Sequence, residues 1–146
     1  QVGARIRAHN LCAGKVSLYI GFSLSELDYD NDRDGFNVQR KITPTNVNHE
    51  LVQTLLAIFR KNWRGEAVRR IGVSYSELVP DHSMQLNILE DPELQIKRYK
   101  LDHVVDKLRK KYGFSAVVKA SSLSKGATAI QRSKLVGGHN GGNAYE

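Results

Sequence analysis

One cysteine, Cys12, and three prolines are scattered through 146 residues. A lone thiol excludes an intramolecular disulfide and a Cys-rich metal framework. No apolar run approaches the roughly 18 residues of a membrane span, and no signal peptide is visible. A cytoplasmic setting without a membrane partner is therefore expected. The histidines (His9, His49, His82, His103, His139) form no i, i+4 pair and have no thiol neighbours, so zinc has no ligand set. No Ser-His-Asp set stands out. Ser122-Leu123-Ser124-Lys125 matches S-x-x-K, but neither S-D-N nor K-T-G accompanies it. The run Gly137–Gly142 lacks the Lys-Ser/Thr ending of a phosphate-binding loop. Asp30, Asp32, Asp34 and Gly35 spell the first half of a calcium loop, yet Lys41 stands where its bidentate Glu belongs. These patterns yield no catalytic residue and no metal ligand.

Acid is also in short supply. There are 15 Asp and Glu against 22 Lys and Arg, for a net charge of +7. Excess base favours a polyanionic partner. The charge is oriented: Asp28 to Asp34 is acidic, whereas Arg60 to Arg70 and Lys97 to Lys111 are strongly basic.

Hydrophobic residues make up 40% of the chain, enough for a modest core. Val2 to Cys12 reads as the end of a helix stopped by Gly14, with no N-cap in sight, which suggests a fragment. Lys15 to Phe22 alternates, with Val16, Leu18, Ile20 and Phe22 on one face and Ser17, Tyr19 and Gly21 on the other. That is a half-buried strand. Phe36 to Ile42 alternates likewise, with Phe36, Val38 and Ile42 inward. Thr45 or Asn46 caps the next element, a helix with Leu51, Leu55, Ile58 and Phe59 inward, widened by Val52 and Leu56 and ended by Gly65. Ala67 to Leu78 is a strand again, with Ile71, Val73 and Tyr75 toward the core. Lys97 to Tyr112 is a basic amphipathic helix whose stripe holds Tyr99 or Lys100, Leu101, Val104, Val105 and Leu108. Phe114 to Lys119 fits a short strand, and Ser121 to Glu146 a flexible tail.

The expected fold is α+β, an antiparallel sheet with two helices on one face. The other sheet face is polar: Ser17, Tyr19, Asn37, Gln39, Lys41, Arg70 and Ser74. A phosphate backbone could lie along such a face; an ordinary solvated face is the alternative.

The segment Val68-Arg69-Arg70-Ile71-Gly72-Val73-Ser74-Tyr75-Ser76 resembles the last strand of the little-finger domain of Y-family translesion DNA polymerases. The upstream order of elements agrees. The tail, from "YKLDHVVDKLRKKYGF" through "ASSLSKGATAIQRSKLVGGHNGG", resembles the C-terminal end of UmuC-like proteins, the ImpB/MucB/SamB group. The resemblance implies a domain that holds template-primer duplex DNA through backbone contacts, within an error-prone polymerase of the SOS response to DNA damage. Arg69, Arg70, Ser74, Lys41 and Gln39 are the implied DNA-binding residues. Some relatives carry a third Arg where Ser74 stands, so that contact is weaker here. The division expected is 1–79 for the DNA-binding domain, 80–96 for a linker, and 97–146 for the C-terminal helix and tail.

The resemblance also implies that the first family strand is missing before Gln1. Phe114–Lys119 or a second copy of the chain is then expected to cover the open edge of Ala67–Leu78, the second case making a dimer. The catalytic palm, with its Mg2+ ions, would lie upstream, so the chain by itself is expected to hold no cofactor and to be inactive. A stand-alone α+β binding module is the alternative.

Ser83 to Asp91, "SMQLNILED", sets large apolar residues among loop formers. Gln85, Leu86, Ile88 and Leu89 resemble the bacterial clamp-binding pentapeptide, usually Gln-Leu-Ser/Asp-Leu-Phe. Gln85 would bond at the groove mouth, and the three apolar side chains would fill pockets on the sliding clamp. The alternative is that Leu86 and Ile88 pack back on the protein.

Overall fold

The computed structural model describes residues 2–23, 34–82 and 90–133. In chain order the elements are α1 (Val2–Ala8), β1 (Leu11–Phe22), β2 (Gly35–Thr45), α2 (Asn48–Asn62), β3 (Val68–Pro80), α3 (Pro92–Tyr112) and α4 (Ala129–Arg132). The strands form one antiparallel sheet in the order β2-β1-β3. The fold is the expected α+β arrangement, with α1 and α2 against one face.

The alternation in β1 becomes the centre of the core. Val16, Leu18, Ile20 and Phe22 are buried together with Ile6 of α1 and Leu51 and Ile58 of α2. Fully burying each such side chain contributes about 1.5–3 kcal/mol. Phe36, Val38 and Ile42 of β2 pack against this cluster, as do Val73 and Tyr75 of β3.

The start of the chain differs from expectation. Helix α1 ends at Ala8, and Asn10 makes the turn in the left-handed region (φ 53°), which Asn tolerates better than most residues. Gly14 therefore stops no helix but lies inside β1. A Cβ there would sit 2.9 Å from the backbone oxygen of Glu77, itself left-handed at φ 52°. Glycine lets the two strands approach at that irregularity.

Helix α2 buries Leu51 and Ile58, with Leu55 and Phe59 partly buried; Val52 and Leu56 do not widen the buried stripe but lie exposed. Neither Thr45 nor Asn46 is its N-cap. That position is Val47, whose side chain has nothing to donate or accept. The cap comes from α3 instead: Asp102 accepts from the Asn48 backbone N–H at 2.7 Å and from its side-chain amide at 2.8 Å. A carboxylate at a helix N-terminus satisfies an orphan donor and opposes the dipole. At the other end the helix stops at Asn62, before Gly65, with Trp63 stacked on Phe59.

Helix α3 begins at Pro92 rather than Lys97, because Asp91 accepts from the Glu93 N–H at 2.9 Å and proline suits the first turn. Its orientation is the largest departure from the amphipathic reading. The polar side packs inward, and Leu101, Val104 and Leu108 are exposed. The cause is Arg7 of α1, only 4% exposed. Its guanidinium grips Asp106 through two bonds of 2.6 and 3.1 Å, and donates to the Asn46 carbonyl at 2.6 Å. Asp81 continues the layer, accepting from Asn46 at 2.7 Å and from the Tyr99 hydroxyl at 3.2 Å. A buried guanidinium requires carboxylates, and α3 supplies them on the face opposite its leucines.

Phe114–Lys119 forms no strand. Phe114–Ala116 is a single 3-10 turn after Gly113, and Arg109 donates twice to the Val117 carbonyl, at 2.9 and 2.7 Å, with its guanidinium over the Phe114 ring. This local cap takes the acceptor that a strand would have offered. Among the described residues no strand pairs with the outer edge of β3, and Ile71, although opposite Ile20, is 69% exposed. Within the expected flexible tail, Ala120–Leu123 and α4 are short helical turns joined through Gly126 at φ 86°.

Candidate nucleic-acid interface

With the helices on one face, pairing register decides what the other face presents. Cross-strand partners run in rows from β2 through β1 to β3: Lys41–Lys15–Ser76, then Gln39–Ser17–Ser74, then Asn37–Tyr19–Gly72, then Gly35–Gly21–Arg70. The residues expected on the open face are therefore brought onto it. Gln39 and Ser74 flank Ser17 in one row. Lys41 and Arg70 stand at opposite corners. Arg69 is the extra residue where the register shifts, between the pairs Gly21–Arg70 and Phe22–Val68. Such a bulge bends the strand and breaks the simple alternation of the two arginines between faces. Both are exposed.

Tyr19 occupies the middle of the face and is 42% exposed. A Cβ on Gly21 would meet its hydroxyl at 3.0 Å and the Arg70 Cβ at 3.3 Å, and one on Gly72 would meet the Tyr19 Cβ at 3.3 Å. The ring therefore lies along its own strand over glycine, pointing its hydroxyl toward Arg70. This residue was not among the expected DNA-binding positions. Its place in the alternation with Ser17 and Gly21 was the available signal.

Charge on the face is graded. Lys15 pairs with Glu77 at 2.5 Å and Lys41 reaches the same carboxylate at 3.7 Å. The bond from Lys15, then the charges of both lysines, hold the Glu77 carboxyl below its ordinary range. Glu77 thus offsets base at the Lys41 end. Among the described residues no ion pair offsets Arg69 or Arg70, and both are exposed.

Gln85, Leu86, Ile88 and Leu89 lie outside the described residues, as do Asp30 and Asp32. The chain on either side of the Gln85–Leu89 segment is held. The Asp81 N–H donates to the Asn10 carbonyl at 2.8 Å, and Glu90 pairs with Arg98 at 2.9 Å while its carbonyl accepts from Gln95.

Among the described residues, no three His, Cys, Asp or Glu side chains converge as a metal site would need. The described residues thus form a two-layer α+β domain with one sheet face open, polar and basic. Residues 1–88 match the family model described as the impB/mucB/samB family C-terminal domain. The chain belongs to that family, and its resemblance to the UmuC-like Y-family polymerases holds. It is 37% identical over 141 residues, 95% of its own length, to the putative UV-damage repair protein UvrX of Bacillus subtilis (strain 168), covering 32% of that protein. It is 33% identical over 128 residues, 87% of its length, to DNA polymerase IV 2 of the same organism, covering 30% of it. A second DNA polymerase IV 2, from Halalkalibacterium halodurans, is 30% identical over 72% of the chain, which covers 25% of that relative. The chain thus spans between a quarter and a third of the length of the curated relatives it matches. No solved structure gives a significant match.

Proposed function

We propose that this C-terminal domain of a Y-family polymerase grips template-primer duplex DNA with its open sheet face, and that Gln85–Leu89 tethers it to the replication sliding clamp. The observation that carries the DNA reading is the register. It sets Gln39, Ser74, Tyr19 and Arg70 on one exposed surface, around a buried Ser17 that donates to Asn37, while helices fill the other. Hydroxyl, amide and guanidinium donors bond phosphate and sugar regardless of base, which suits a polymerase that must copy any template. The bulge supports the reading, since it puts two adjacent exposed arginines at one corner of the sheet. In the intact protein the palm, with its Mg2+ ions, would lie on the N-terminal side, and nucleotidyl transfer would belong there. The outer edge of β3 is the proposed docking edge for a second copy of the chain. Its arginines and the irregularity at Glu77 keep that association weak.

The test is duplex binding by fluorescence anisotropy across a salt series. Removing one phosphate-neutralising side chain should reduce the log–log salt slope by about 0.9. Arg69→Ala with Arg70→Ala should lower affinity equally for unrelated sequences and flatten the slope by nearly two such steps. An unchanged slope places the DNA elsewhere.

A further inference from the structure

The rotation of α3 about its axis leaves one side of the helix unexplained. Its inner side is committed to Arg7, Asn48 and Asp81 through Asp106, Asp102 and Tyr99. Outward, Leu94, Leu101 and Leu108 recur at heptad spacing and are 43%, 61% and 37% exposed, with Val104 beside them at 52%. Lys97 and Lys111 occupy the other seam position above and below Val104; Lys100 and Lys107 flank the seam, with Glu93 before them in a loose, exposed 3.8 Å pair with Lys97. In heptad terms these are a, d and g positions, the surface of a two-helix coiled coil.

We infer that the outer side of α3 docks an acidic amphipathic helix of a partner protein. Charge decides the occupant. A second copy of α3 would set lysine against lysine, at the seam (Lys97, Lys111) if parallel or at its flank (Lys100 with Lys107) if antiparallel, whereas carboxylates facing Lys97, Lys100, Lys107 and Lys111 make pairs. A duplex backbone offers nothing to the leucines. An anionic membrane favours a broad apolar face, and this seam is narrow and interrupted by lysine. The helix is also already folded and held in register by its inner bonds, so docking orders little new chain.

The probe is a fluorescein-labelled synthetic helix of about three heptads, with leucine at its seam and glutamate flanking it, titrated with the whole 146-residue chain. Saturable binding is expected, weakened tenfold or more by Leu101→Asp with Val104→Asp. Both sites are exposed, so circular dichroism and duplex affinity should stay as in the unaltered chain. Lys97→Glu with Lys111→Glu should transfer the preference to a peptide carrying lysine in place of glutamate, which reads the surface independently. Equal binding of a scrambled peptide, no saturable binding, or binding unchanged by both pairs of substitutions overturns the inference. So does attachment to vesicles containing phosphatidylglycerol that the same substitutions abolish and the peptide does not compete.

Discussion

Arg7→Ala should loosen the whole C-terminal half of the fold. The substitution removes the bidentate grip on Asp106 and the bond to the Asn46 carbonyl, and leaves Asp102 and Asp106 facing an empty site. Breaking a buried ion pair from one side costs about 3–5 kcal/mol. The two carboxylates keep 15% and 18% side-chain exposure, so water relieves part of that penalty. About 3 kcal/mol is the working value, equivalent to a fall in Tm of roughly 10 °C for a chain of this size. Urea unfolding followed by Trp63 fluorescence and by circular dichroism measures it. The double variant Arg7→Ala with Asp106→Ala should cost less than the two single changes added, by at least about 1 kcal/mol. A single-variant loss below about 0.5 kcal/mol, or strict additivity, would refute the claim that a polar layer holds α3 in place.

Two further outcomes follow from other regions. Removal of Met84–Leu89 should abolish capture of the chain on an immobilised bacterial sliding clamp while leaving duplex affinity unchanged; retained capture would remove the tether from the proposed function. Burial, and then the charge of Asp81, push the Cys12 thiol up from 9.0 to about 11. The folded state therefore holds its proton more tightly than the unfolded chain. That stabilisation is complete below the unfolded value and is lost as pH rises from 9 to 11, so the urea midpoint should fall across that window. At pH 8 the folded chain should resist a thiol reagent that labels it readily in urea.

Local pattern carried the interior of the fold. Val16, Leu18, Ile20 and Phe22 could be read from alternation alone, because β1 is central and helices cover its inner face. The open face was legible for the same reason, since period two assigns both faces at once. What alternation cannot show is who else reaches a face. Glu77 shields Lys15 and Lys41 through a left-handed backbone that no pattern announces, and Tyr19 lies flat only because Gly21 and Gly72 make room. The stripe on helix α3 was legible as well, but not the side on which it lies, since the amphipathic rule sends leucine inward. Here a buried guanidinium from the far end of the chain draws in Asp102 and Asp106 instead. Asp102 and Asp106, four residues apart in an otherwise basic stretch from Lys97 to Tyr112, were the clue, and Asp102 also explains a cap missing from the local sequence before α2. The proposed clamp segment, Gln85–Leu89, lies outside the described residues.

The bond between Arg7 and Asp106 joins residues 99 positions apart. On a ribosome making about 5–20 residues per second, roughly 5–20 s separate the two. Through that interval α1 and the sheet can assemble, but the guanidinium has no carboxylate from α3, and α2 has no cap. The last step of folding must then wait until Asp106 has left the exit tunnel. A nascent chain stalled before that point would show an accessible Arg7 and a frayed Asn48, and one stalled well beyond it would show neither.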